Sequence, residues 1–113
     1  MRESASFLRG PRGPILLDPM DIQRHLSDLA ARLDKARGDL RIVEEQILFQ
    51  MDVVEDTKTR MLVSETPLAD REYRVARDDY DRMLRQRDEI NAEIAELHAA
   101  QDGLLDRMLD SKV

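Results

Sequence analysis

Apolar side chains recur along this chain at steps alternating between four and three residues, in two separate series, and this spacing constrains the fold more than any other feature. The first series is Ile22, Leu26, Leu29, Leu33, Ala36, Leu40, Val43, Ile47, Gln50, Val54, Thr57 and Met61. The second is Ala69, Tyr73, Ala76, Tyr80, Met83, Arg87, Ile90, Ile94, Leu97, Gln101, Leu104 and Met108. Ten of the twelve positions are apolar in each. A repeat of this kind marks a helix that buries one narrow seam against another helix.

The segment between the two series, VSETPLAD, cannot carry a helix through. Pro67 lacks an amide hydrogen and clashes with the preceding turn, but it suits the first turn of a new helix. Thr66 is placed to cap that helix, and Asp70 falls in its first turn, where the helix dipole favours an acid. Folded back at Glu65, each seam residue meets the one whose number brings the sum to 130: Met61 faces Ala69, Leu33 faces Leu97 and Ile22 faces Met108. All twelve layers register without a slip. Gln50 and Thr57 are each expected to face a tyrosine hydroxyl, and Arg87 to bury its stem and keep its head in water. The spacing therefore predicts an all-α fold, a long antiparallel two-helix coiled-coil hairpin. Helix 1 is expected over about 20–64, a turn at 65–66 and helix 2 over about 67–110. Acid-before-base pairs four residues apart, such as Asp28–Arg32 and Asp78–Arg82, decorate its outside.

Residues 10–19 hold five of the eight Gly and Pro residues; from Met20 onward only Gly38, Pro67 and Gly103 remain. Residues 1–19 thus read as a non-helical tail, flexible or ordered by a partner, with Phe7, Leu8, Ile15, Leu16 and Leu17 as its adhesive residues. Met20 is an alternative biological start. No run approaches the length of a membrane span and none forms a secretory signal, so the expected location is cytoplasmic.

Composition excludes several chemistries. The 113 residues contain no cysteine, so there is neither a thiolate nucleophile nor a cysteine-ligated metal site. His25 and His98 are the only histidines, about two helical turns apart on the hairpin, and they lack further ligands at metal spacing. A net charge of −6 argues against a general nucleic-acid binder, for which Arg2, Arg9 and Arg12 in the tail offer only a weak contact. There is no phosphate loop, nucleophile elbow or other catalytic motif. Neither catalytic residues nor a cofactor or metal is expected.

Two regions remain as candidate sites. In RIVEEQILFQMDVV, the seam uses Val43, Ile47 and Val54 but leaves Ile42, Leu48, Phe49, Met51 and Val53 over. An apolar flank of this kind marks an interface, and the leading expectation is a homodimer in which two hairpins form a four-helix bundle, with a different partner protein or coverage by the tail as the alternatives. The other region is the tip, where Glu65, Asp70 and Glu72 gather. The adjoining stretch LADREYRVARDD, through Leu68, Glu72, Tyr73, Ala76, Arg77 and Asp78, locally resembles the tip of the N-terminal hairpin of Gre-type transcript-cleavage factors. That resemblance implies acids that enter an RNA polymerase channel and help hold a magnesium ion. Glu65 and Asp70 are the nearest equivalents of those acids, aligned only with a one-residue shift.

The functional expectation is a non-enzymatic protein–protein interaction module: a scaffold, adaptor or regulatory subunit that contacts an unidentified protein through the flank and tip. The alternative is a transcription accessory factor acting through the tip acids.

Overall fold

The computed structural model describes residues 18–111. The expectations for the tail, including Phe7, Leu8, Ile15, Leu16 and Leu17, lie outside these residues. The described chain consists of two helices, α1 (Pro19–Ser64) and α2 (Pro67–Ser111), with no strand. It extends 71 Å along its long axis, close to the ~69 Å that a helix of α1's length spans at 1.5 Å per residue.

Local chemistry sets each helix end. Asp18 is the N-cap of α1: its backbone is extended and its carboxylate accepts from the Met20 amide at 3.4 Å. Its carbonyl also accepts from the Asp21 and Ile22 amides at 2.9 and 3.1 Å. Pro19, read from sequence as the last tail residue, is instead the first helical residue. At that position the missing amide hydrogen costs nothing and the fixed φ suits the helix. Gly38 and Gly103 sit inside helices without interrupting them, because packing along the seam outweighs roughly 1 kcal/mol of glycine propensity.

The reversal takes two residues. Glu65 adopts the left-handed conformation (φ 53, ψ 44) and its amide donates to the Met61 carbonyl at 3.1 Å. It is the single non-glycine residue with positive φ among those described. Thr66 Oγ1 then accepts from the Ala69 amide at 3.1 Å, and the Thr66 carbonyl from the Asp70 amide at 3.1 Å. The first of these satisfies an amide that a helix start leaves orphaned, and the second is the opening i→i−4 bond of α2 itself.

Every one of the twenty-four seam residues is buried or half-buried. Leu29, Leu33, Ala36 and Leu97 form a core cluster, with Ile94 and Leu104 packed against it. Leu33 is 2% exposed and Val43 only 1%. Polar seam residues follow a different plan from the one the layer arithmetic suggests. Gln50 Nε2 donates across the interface to the Ala76 carbonyl at 3.0 Å, not to Tyr80. The carboxamide reaches one turn toward the tip, where the second lone pair of a helical carbonyl is available. Thr57 Oγ1 bonds back to its own helix, at 2.8 Å to the Val53 carbonyl and 3.0 Å to that of Val54. A buried threonine hydroxyl finds that acceptor within its own turn and needs no cross-helix partner. Tyr73 instead stacks beneath the Arg77 guanidinium, 5.4 Å from its ring centre. Arg87 is half-buried, with its guanidinium on the neighbouring Asp88 carboxylate at 3.0 Å.

The outer ion pairs also differ from the simple spacing rule. Arg82 pairs with Asp79 at 2.6 Å rather than with Asp78, and Arg24 with Asp21 at 3.3 Å. Of the pairs four residues apart, Lys35–Asp39 closes at 3.0 Å, with the base first. Such exposed pairs contribute little to stability. Among the described residues no helix is long and apolar enough to cross a membrane.

Candidate interaction surface

A heptad seam buries two positions in seven, so the residues beside it decide what a hairpin shows to its surroundings. At about 100° per residue, positions seven apart on α1 lie within ~20° of each other. Ile42 and Phe49 therefore share one flank, and Val53, four further on, joins them. Phe49 is 70% exposed and Ile42 55%, whereas Val53 is half-buried against the facing helix. Leu48 is 65% exposed, but it lies about 100° around the helix from Phe49, and Met51 lies further still. The five flank residues expected from sequence thus divide: Ile42, Phe49 and Val53 line one face of the hairpin, while Leu48 and Met51 lie off it.

The first face carries a groove between the helices. One hollow lies between Ile42, Val43, Gln46, Gln86 and Ile90; the next holds Ile42, Phe49, Gln50 and Met83. A third lies between Gln50, Val53, Thr57, Val75 and Ala76. Because Ile42 and Gln50 are each shared by two hollows, the three form one groove from the level of Asp39 to that of Thr57, about 27 Å long. Val75 and Met83 of α2 belong to its apolar lining. A lone valine in a charged run and a methionine already assigned to the seam gave no reason to single them out. The readable signal is that Val75 follows the seam residue Tyr73 by two, the same heptad position that Ile42 and Phe49 hold after Leu40 and Ile47.

Carboxylates surround this lining. Asp39 is engaged by Lys35 and Asp79 by Arg82. Glu45, Glu72, Glu89 and Glu93 also border the groove, and none forms an ion pair among the described residues. The local field is visible at Lys35. Its pKa lies above the ordinary lysine value, chiefly through the hydrogen bond from its ammonium to Asp39, then through that carboxylate's charge and that of Glu93 on the facing helix. Arg71 is the basic residue lining the groove near the tip.

No family model, curated protein or solved structure matches this chain. The functional reading therefore rests on the geometry alone.

At the tip, Glu65, Asp70 and Glu72 are all exposed. Asp70 sits in the first turn of α2. Among the described residues no three His, Asp or Glu side chains converge so as to hold a metal ion. The tip is also less polar than its acids suggest, since Leu62, Val63 and Leu68 are each more than half exposed around the bend. Of the histidines, His98 accepts from the Arg37 guanidinium at 3.1 Å. His25 borders a hollow at the base of the hairpin with Leu29 and Leu104.

Proposed function

We propose that this chain is a non-enzymatic protein–protein interaction module whose docking surface is the Ile42–Phe49–Val53 face of the hairpin. The observation that supports it is the exposure of Phe49 and Ile42 midway along a rigid two-helix lever, far from both the bend and the base. Contiguous apolar surface of this kind marks contact sites, and aromatic anchors dominate the energetics of such contacts. A two-helix layer encloses no interior cavity in which a small substrate would be shielded from water, so the reading assigns no reaction to the chain.

The apolar stripe is suited to another helix. A second copy of the hairpin laid against it gives a four-helix bundle, and a helix from a different protein gives a three-helix bundle; a scaffold, adaptor or regulatory role follows from either. The test is the double variant Ile42→Asp/Phe49→Asp beside the parent chain, with mass measured by light scattering and capture from source lysate measured in parallel. The reading expects a complex, with itself or with another protein, that the parent forms and the variant loses while remaining helical. A monomeric parent whose captured proteins are the same as those of the variant refutes it.

A further inference from the structure

The occupant of the groove can be narrowed by charge, an inference that rests on the reading just given. We propose that the groove receives a basic amphipathic helix of about eighteen residues from another protein, completing a three-helix bundle. Length follows from the hollow: about 27 Å of continuous groove accommodates about eighteen residues at 1.5 Å each. Apolar character follows from Ile42, Phe49, Val53 and Val75, which are left for the guest's apolar stripe.

Sign follows from the border. Glu45, Glu89 and Glu93 stand beside the lower two-thirds of the groove and Glu72, next to Arg71, beside the rest; among the described residues none of these four glutamates has an ion-pair partner, so the border is acidic on balance. In a helical bundle, residues flanking the buried seam pair with those flanking the neighbour's seam. Lysines and arginines on either side of the guest's apolar stripe meet these carboxylates; acids there are repelled. The same border disfavours a second copy on this face. A two-fold interface is self-complementary, so each copy offers the other the surface it presents itself. Two such faces bring unpaired glutamates together, and like charges across an interface weaken it.

The probe is a labelled eighteen-residue peptide with leucines on one helical face flanked by lysines and arginines, paired with a control whose basic residues are all glutamate. Fluorescence anisotropy on the full 113-residue chain measures both. The basic peptide is expected to bind and the acidic control not to. Raising salt from roughly 50 to 300 mM should weaken binding about fivefold or more, because the contact is partly one of screened charges. Phe49→Asp should weaken it about tenfold or more. Leu48→Asp, an equally exposed change off the groove, should not, which guards against a general effect on folding. Glu89→Lys/Glu93→Lys should reverse the preference between the two peptides.

Equal binding of both peptides, or equal loss with Leu48→Asp, overturns the proposal. So does a parent dimer that Phe49→Asp dissolves; that result makes a second copy the occupant and leaves the interaction-module reading standing. Deletion of residues 1–17 that strengthens binding of the basic peptide by an order of magnitude also overturns it, by making that segment the occupant. A monomeric parent that binds neither peptide, with no capture difference for Phe49→Asp, ends both proposals.

Discussion

Leu33 and Leu48 are the same residue type on the same helix, and truncating each to alanine separates seam from surface. Leu33 is 2% exposed in the cluster with Leu29, Ala36 and Leu97; Leu48 is 65% exposed. Leu33→Ala removes about three methylene equivalents from a buried layer, worth about 2.4 kcal/mol at ~0.8 kcal/mol each. A cavity term adds to this, but a two-helix layer is open at its edges and relaxes easily, so a total of about 2–3 kcal/mol is expected, at the low end for buried leucines. Leu48→Ala should stay within about 0.5 kcal/mol, since a surface change away from packing does little. Urea unfolding followed by circular dichroism measures both. With a slope of about 1 kcal/mol/M for a chain this small, the Leu33→Ala midpoint falls by about 2–3 M and the Leu48→Ala midpoint barely moves. Equal shifts for the two variants refute the burial argument on which the seam rests.

Other substitutions test separate parts of the account by the same unfolding assay. Gln50→Ala removes the bond to the Ala76 carbonyl and opens space in a buried layer, so a loss of about 1–3 kcal/mol is expected; no loss means the bond is not formed in solution. Thr66→Ala deletes the acceptor for the Ala69 amide and should cost about 0.5–2 kcal/mol; an unchanged midpoint rules the cap out. Gly103→Ala places a methyl that meets nothing within 4 Å beyond its own stretch of helix and should stabilise by about 0.5–1 kcal/mol through helix propensity; destabilisation would show the helix is not continuous there.

The seam was legible in the sequence because burial on a helix imposes a period, and the period survives individual polar residues such as Gln50 and Arg87. The bend was legible because Pro67 and Thr66 act locally. Gln50's partner was not, because side-chain identity points to tyrosine hydroxyls while the acceptor used is a backbone carbonyl, which every residue carries. The acceptors of Thr57 are likewise backbone carbonyls, within its own turn. The apolar flank was visible as a surplus of large side chains. Sequence distance alone did not show that Phe49 and Leu48, adjacent in the chain, point about 100° apart. The groove's carboxylates come from both helices, so their convergence appears only once Glu45 and Glu89 share one face. The exposed Leu62, Val63 and Leu68 around the bend fall outside the seam period, so the spacing does not single them out.

Everything functional depends on the chain doubling back at Glu65 and Thr66. Its lack of cysteine allows spin labels to be attached at single introduced sites. The most direct measurement is the electron–electron dipolar distance between labels on Arg37→Cys and His98→Cys, whose native side chains meet at 3.1 Å across the hairpin. The account predicts a narrow distribution within about two helix diameters, roughly 20 Å. A distance near 90 Å, about what 61 residues of unbroken helix span, would contradict it.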